Sequence, residues 1–549
     1  MLIYYKKRFL LYKRVGKQIR FLYDMDFQEL ILSLRTQTIN PELILLVSLL
    51  LTVFLDLVFE KSDSEFGNLY QWIPFVGLLA SFIALLFQWN DALHPINPNF
   101  FKEENIAFLG SIQGDIIGIL FRAFIAISGF FSLLLCSEYI EKSGTAKIEF
   151  YSLFLTAILG GMFLAGSNDL VTMFVSLETL GLSSYLLTGY MKRDIRSNEA
   201  SLKYLLIGAA SSSILLYGVS WIYGISGGHV EFHSILATSL ALNVSNSLAY
   251  WVAFFFVTVG LAFKLSAAPF HQWTPDVYQG SPTPMVAFLS VTSKAAGLAL
   301  TTRFLTLIFP YLSSEWHFFF EILACLSMGI GNLVALTQTS FKRMLGYSSV
   351  GQAGFLLIGL ITGEENGYGS MLLYLFIYLL MNLGAFAGAI IFGLRTGSDQ
   401  IKDFSGLGRK DPVLAIGLSV ALLSLGGIPP LAGFFGKLYL FWVGWKAGYY
   451  FLITFALVTS VIAIYYYLRV VKIMFVKDEN EVSPCLKNYP VSSISFIPKK
   501  PIELGMGLCT FGSIFVGILL NPISESVQRS LEITPYLQNS LVYIDTLSF

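Results

Sequence analysis

Charge and metal-binding side chains are scarce in this 549-residue sequence. Only 13% of residues are charged, and 35 Lys and Arg balance 35 Asp and Glu, for a net charge of zero. A chain without a basic surplus lacks the electrostatic footprint of a nucleic-acid binder, so no nucleic acid is expected as a partner. Four cysteines (Cys136, Cys325, Cys485, Cys509) are scattered with no CxxC spacing. That argues against iron–sulfur ligation by this chain and against a disulfide framework. The five histidines (His94, His229, His233, His271, His317) form no metal-ligand pattern; His229 and His233 are only an i,i+4 pair in a polar stretch. There is no GxGxxG turn after a strand and no P-loop. No metal or cofactor is therefore expected in this chain, and any redox centres it serves are expected on other chains.

Apolar sequence is abundant instead. Hydrophobic residues make up 55% of the chain and aromatic residues 15%, and the mean hydropathy is +0.68. This composition points to an all-α polytopic membrane protein embedded in a lipid bilayer, because helices satisfy every backbone polar group internally. From Pro41 onward the sequence reads as about 14 hydrophobic spans of roughly 20 residues, each long enough for a ~30 Å hydrocarbon core. They lie near 41–59, 71–89, 115–136, 149–167, 169–190, 200–224, 249–269, 283–309, 318–338, 343–362, 368–393, 411–443, 449–474 and 503–521. Residues 25–148 hold the first three spans, and 476–549 hold a polar loop, the last span and a tail. No soluble domain is evident.

Residues 1–24 form a basic extension carrying Lys6, Lys7, Arg8, Lys13, Arg14, Lys17 and Arg20. With no clean apolar core and no small-residue cleavage site, it is a poor secretory signal. It reads either as a basic amphipathic helix on a lipid surface or as sequence upstream of a true start at Met25. Loop charge bears on this choice. Lys142, Lys192, Arg193, Lys342, Arg343, Arg409, Lys410 and Lys472 fall in loops on one side of the membrane, while the other side carries little beyond Lys102, Lys446 and Arg529. Positive charge marks the cytoplasm-equivalent side, so both termini are expected on the luminal or periplasmic side. A strongly basic N-terminus conflicts with that placement, which favours Met25 as the start and residues 1–24 as absent from the mature protein.

Two spans are interrupted. Span 7 breaks at Ser266–Pro269 and span 12 at Gly426–Pro430. They lie five spans apart, an odd number, so two five-span units would run in opposite directions. Paired breaks of this kind mark inverted-repeat transporters, whose sites lie at membrane depth.

Ionisable residues also interrupt the apolar spans: Glu178 in span 5, Lys203 in span 6, Lys264 in span 7, Lys294 in span 8 and Lys437 in span 12. A lysine at the bilayer centre costs roughly 2.5–3.5 kcal/mol on insertion scales. Lys203 and Lys437 lie near span ends and have an alternative as snorkelling lysines. Glu178, Lys264 and Lys294 have apolar sequence on both sides. Burial disfavours the charged form of a lysine and a nearby carboxylate restores it, so a series of lysines with one carboxylate can hold or release a proton. The broken helices free backbone groups that recruit water. The order expected for a proton relay is Glu178 and Lys203, then Lys264, Lys294 and Lys437. His271, in PFHQWTPDVYQGSPTP, either relays or tunes with Asp276 nearby, or belongs to an anchoring turn.

The segments SNEASLKYLLIGAASSSILLYG, FKLSAAPFHQWTPDVYQGSPTPMVAFLSVTSKAAG, QTSFKRMLGYSSVGQAGF and LLSLGGIPPLAGFFGKLYLFWVGWKAGYY closely resemble the N-type antiporter-like membrane subunits (subunit 2) of the NAD(P)H–quinone oxidoreductase, or complex I, family. RTGSDQIKDFSGL looks most like the plastid and cyanobacterial form, and MDFQEL at Met25 resembles cyanobacterial starts. The resemblance extends from about Met25 to the end of span 14. It implies fourteen helices with two inverted five-helix repeats, at 149–309 and 310–475, and broken helices 7 and 12. It implies a proton-translocating subunit of a plastoquinone reductase in the chloroplast thylakoid membrane, or in a cyanobacterial thylakoid. NAD(P)H or ferredoxin would supply electrons, iron–sulfur clusters would lie on other subunits, and the partners would include other membrane, peripheral and antiporter-like subunits. By position, Glu178 and Lys264 would form a switching ion pair, with Lys294 and Lys437 beyond; Lys203 matches the family's helix 6 lysine less securely in role. Gln352 departs from the wider antiporter family, where many relatives place a histidine. A stand-alone cation/proton antiporter and a purely structural subunit are the alternatives.

Overall fold

The structure, a computed structural model, describes residues 38–59, 71–93, 106–241, 247–363, 365–475, 484–487 and 500–532. The basic stretch 1–24 and the start at Met25 lie outside these residues. Among the described residues, thirteen helices are long and apolar enough to cross a membrane. They are α1 (Asn40–Phe59), α2 (Ile73–Leu93), α3 (Ile116–Ser143), α4 (Lys147–Gly166), α5 (Leu170–Thr188), α6 (Ile195–Ile225), α7a (Leu248–Leu265), α8 (Thr283–Ile308), α9 (Ser313–Ala335), α10 (Phe341–Thr362), α11 (Glu365–Thr396), α13 (Tyr450–Met474) and α14 (Pro501–Ile518). A fourteenth crossing is made by two short halves, α12a (Pro412–Gly426) and α12b (Ala432–Lys446). Beyond its break, α7a is followed by α7b (Trp273–Gly280). An amphipathic helix, α15 (Leu520–Glu532), follows the last span. A two-stranded antiparallel ribbon pairs Ile106–Ala107 with Ile112–Gln113 ahead of α3.

Helix starts follow from local chemistry. The Asp169 carboxylate accepts from Thr172 N at 2.5 Å to cap α5, and Asp411 accepts from Leu414 N to cap α12a. Each satisfies a donor that the first helical turn leaves free. Pro284, Pro412 and Pro501 sit in the first turns of α8, α12a and α14, where a missing N–H costs nothing. Buried hydroxyls bond back along their own helices, as Ser132 does to Ser128 O and Thr301 to Gly297 O. These two therefore enter an apolar interior with their hydroxyl donors satisfied.

The layering is set by which helices bury all faces. The most apolar window of α8 is 100% buried and those of α10 and α11 are 94% buried, against 28% for α1 and 33% for α6. The ionisable residues of α8 are thus central, and the apolar outer faces of α1 and α6 are left for lipid or neighbouring chains.

The two five-helix units repeat each other in detail. Gly160 of α4 lies against Leu180 N and Ser176 O of α5, and Gly331 of α9 lies against Gly351 N and Tyr347 O of α10. A side chain at either glycine would strike backbone. The N-cap residues Asp169 and Ser340 make matching isolated bridges to Glu231 and Gln400. The flanking bonds recur too: Leu170 N to Val230 O and Phe232 N to Asn168 O, then Phe341 N to Asp399 O and Ile401 N to Thr339 O. An odd number of crossings separates the units, so the repeats are inverted, as the paired breaks led us to expect.

Candidate proton path through the membrane

The two helix breaks share one construction. Ser266 adopts a left-handed conformation (φ 56°), and Gly427 does so at φ 83°. Ala267 N bonds Ala262 O at 2.9 Å, and Ile428 N bonds Leu423 O at 3.1 Å. A left-handed residue followed by this back-bond closes each half-helix. Proline follows at Pro269 and at Pro430, each after a cis peptide bond, and no helix can continue through it.

What fills each break differs. In the second repeat Lys437 reaches back from α12b, and its Nζ donates to Leu425 O at 2.8 Å and to Gly426 O at 3.2 Å. These carbonyls are freed by the break, and the ammonium caps them. Gly427 makes this fit, since a Cβ there would lie 3.2 Å from Lys437 Cδ. The Phe355 ring stands 5.1 Å below the ammonium, within cation–π range. Beside Lys437 a cavity of 450 Å³ is lined by Gly426, Phe434, Phe441, Trp442 and Ile464.

Leu425 O has a second donor, Gln352 Nε2 at 3.4 Å. The Oε1 of Gln352 accepts from the Tyr374 hydroxyl. One turn earlier on α10, Ser349 O accepts from Lys294 Nζ at 2.6 Å. A polar line therefore crosses the apolar core from Lys294 on α8, through Ser349 and Gln352 on α10, to Leu425 and Lys437 at the second break. Gln352 thus reaches the same break carbonyl that Lys437 caps.

Lys264 is buried on α7a. Its stem packs on Gly297, where a Cβ would lie 3.3 Å from Lys264 Cγ. Gly297 lies one turn beyond Lys294, which brings these two lysines onto adjoining surfaces. Among the described residues Lys264 has no hydrogen bond, and no ion pair within 4 Å joins it to Glu178. Glu178 Oε1 is buried without a partner. The pair expected from the resemblance is therefore not in contact in this arrangement.

Lys203 stands apart from the buried lysines. Its half-exposed ammonium lies 2.7 Å from Glu199 Oε1 and 3.2 Å from Asp276 Oδ2. His271 sits in the turn after the first break, with its ring edge toward Tyr347 at 6.4 Å and Nδ1 buried without a partner. The structure brings His271 to neither Lys264 nor Lys294 by a hydrogen bond.

Two buried ion pairs escaped the sequence reading. Arg122 Nη1 meets Glu42 Oε1 at 3.2 Å, both nearly inaccessible, and Arg303 pairs with Asp115. Arg122 and Arg303 interrupt apolar spans just as the lysines do, so the same signal could have found them. Among the described residues no group of three His, Cys, Asp or Glu side chains is placed to hold a metal ion.

The family model described as NADH:quinone oxidoreductase/Mrp antiporter, TM, matches residues 167–463. NAD(P)H-quinone oxidoreductase subunit 2, chloroplastic, of Chlorokybus atmophyticus is 56% identical over 525 residues, 96% of this chain and 100% of that protein. The chain belongs to the NAD(P)H-quinone oxidoreductase subunit 2 family. The family member of Nostoc sp. is 52% identical over 518 residues, covering 94% of this chain and 97% of that one. A chain of respiratory complex I from Thermus thermophilus with bound Aureothin is 30% identical with a TM-score of 0.69, covering 89% of this chain and 99% of that one. A chain of the Mrp complex from Dietzia sp. DQ12-45-1b is 20% identical with a TM-score of 0.74, covering 92% and 100%; at that identity it shows the shared fold. The chain is thus a multipass membrane protein of this family, and its fold is shared with the complex I chain.

Proposed function

We propose that this chain is the proton-translocating membrane subunit of a complex I-like NAD(P)H-quinone oxidoreductase, and that Glu178, Lys264, Lys294 and Lys437 carry its protons. The observation that carries this reading is the polar line of Lys294, Ser349, Gln352, Leu425 and Lys437 across the core. Three lysines buried without carboxylate contact are costly in an apolar interior, and a structural role alone would be served by apolar residues. A buried lysine can deprotonate and regain a proton, and the freed carbonyls at the break offer its ammonium form a resting place.

The switch in this reading is the distance between Glu178 and Lys264. At an effective dielectric of about 20, unit charges about 4 Å apart attract by about 4 kcal/mol, and at about 8 Å by about 2 kcal/mol. Closing that gap shifts the protonation equilibrium of the lysine by about thirtyfold. Engagement would hold the proton on Lys264, and separation would favour its release toward Lys294. Quinone reduction elsewhere in the complex would bias the pair by changing the charge of a neighbouring subunit.

The same reading places the chain in a thylakoid membrane, with plastoquinone as acceptor, NAD(P)H or ferredoxin as donor, and iron–sulfur clusters on other subunits. Its neighbours would include other antiporter-like subunits. The repeat units are assigned to 149–309 and 310–475. Lys203 and His271 are assigned to the rim of the path, where neither touches the buried lysines.

The test is proton transport per electron in membrane vesicles that hold the assembled complex. Lys264→Ala and Glu178→Ala are each expected to cut transport at least about tenfold while electron transfer and assembly persist, a loss of about 1.4 kcal/mol or more. Wild-type transport in either variant would overturn the relay. Unaided sodium–proton exchange by the purified chain in liposomes would favour the stand-alone antiporter instead.

A further inference from the structure

Past the first break, α7b lies between the two repeats. Gly280 at its end packs on Arg196 O and Ala200 of α6, and Gly346 of α10 packs on Pro275 and Tyr278 from the other side. Tyr204 of α6 stacks on Trp273 at 4.7 Å. A half-helix wedged between a first-repeat helix and a second-repeat helix can transmit the position of one to the other.

Its single acidic side chain is shared between them. Asp276 Oδ2 lies 3.2 Å from Lys203 Nζ on α6, and Asp276 Oδ1 lies 3.2 Å from Arg343 Nη2 on α10. Arg343 Nη1 also donates to Gln279 Oε1 of α7b at 3.1 Å, and Lys203 also holds Glu199. Counted from the left-handed residues Ser266 and Gly427, Asp276 holds the register in the first repeat that Lys437 holds in the second. There a cation bonds the freed carbonyls of its own break; here an anion bonds cations on both flanking helices.

Each arm of this fork leads to the path. Through α7b, Trp273 Nε1 donates to Phe263 O at 3.2 Å, the carbonyl next to Lys264. Through α10, Arg343 lies on the helix that presents Ser349 O to Lys294 and Gln352 to Leu425. We propose that Asp276 is a positioning residue for proton transfer: by joining Lys203 to Arg343 it sets α7b, and with it Lys264, against α10 and the acceptor of Lys294. The inference rests on the relay reading above. It also gives Lys203 a task, which is to anchor the fork.

The experiment uses the assembled complex in membrane vesicles and measures proton transport and electron transfer together. Asp276→Asn is expected to lower protons moved per electron by about two- to thirtyfold, the range seen when a coupling network is cut, with electron transfer retained. Asp276→Glu, which keeps both ion pairs, is expected to restore most of the ratio. A residue that merely stabilised the fold would lower both activities together and leave the ratio unchanged. Should Asp276→Asn fail to assemble, Arg343→Gln and Lys203→Met each cut one arm and are read in the same way. A wild-type ratio in these variants beside a loss in Lys264→Ala would overturn the role of Asp276 alone. A wild-type ratio in Lys264→Ala would overturn the relay beneath it.

Discussion

Replacing Lys437 by arginine separates its two conceivable tasks. Arginine keeps a positive charge and several N–H donors for Leu425 O and Gly426 O, which now accept from Lys437 at 2.8 and 3.2 Å. It also keeps a cation near the Phe355 ring. The added bulk has room in the 450 Å³ cavity beside the side chain. If Lys437 only caps the broken helix, Lys437→Arg should pump like the wild type. Each charge-assisted bond to a carbonyl contributes about 1.5–3 kcal/mol, and arginine would retain most of that. If Lys437 hands on a proton, arginine should fail, because its pKa lies about 2–3 units above that of lysine. That gap is about 3–5 kcal/mol, so proton release would slow by about a hundredfold or more. The measurement is proton uptake by vesicles holding the assembled complex, followed beside quinone reduction. Lys437→Met serves as the partner variant, losing both charge and cap. The expected pattern is near-normal assembly and lost transport for arginine, and lost transport with weaker assembly for methionine. Full transport with arginine would refute a titrating Lys437.

Two further perturbations bear on the polar line and its surroundings. Gln352→Leu removes the side chain that accepts from Tyr374 and donates to Leu425 O. A buried hydroxyl left without its partner costs about 1–3 kcal/mol, so thermal stability of the complex should fall modestly while proton transport falls far more; unchanged transport would remove Gln352 from the path. Asp115→Ala leaves Arg303 buried without its carboxylate, at about 3–5 kcal/mol. Accumulation of the complex in the membrane should drop sharply, and the double change Asp115→Leu with Arg303→Met should recover part of it. Equal loss in single and double variants would show that the charges themselves are needed.

The crossings were legible because length and hydropathy alone decide whether a helix spans, and among the described residues thirteen long helices with one broken pair stand where the hydrophobic runs predicted them. The breaks were legible because glycine and proline leave few conformations open. The ionisable residues stood out by their expense in lipid, but partners cannot be read from expense. Lys203 and Lys437 carry the same formal charge near the ends of apolar spans, yet one lies half-exposed between Glu199 and Asp276 and the other is buried. That difference depends on which helix face meets the core. The amphipathic α15 went unread because its inward face is short: Leu531 is buried and Gln528 bonds the Tyr439 hydroxyl, contacts that exist only once distant helices have assembled.

The inverted repeat sharpens why the two breaks are chemically unequal. Backbone constraints recur in both: a left-handed residue, a back-bond and a proline. Side chains at matching registers do not recur. Glu178 and Ser349 hold one register counted from the N-caps Asp169 and Ser340, and Asp276 and Lys437 hold another. Lys264 matches Leu425, whose carbonyl receives Lys437. A symmetric scaffold with identical groups in both halves would give a proton no preferred direction. Here the first repeat supplies the half-buried acid Glu178 along with Lys264, whereas the second supplies carbonyls and a capping lysine. In the proposed relay the shared scaffold would supply the two breaks, and the departures from symmetry would set the order among Lys264, Lys294 and Lys437. An exchange such as Ser349→Glu together with Glu178→Ser would move the acid from one repeat to the other, and by this argument should abolish net transport while leaving the backbone of both breaks intact.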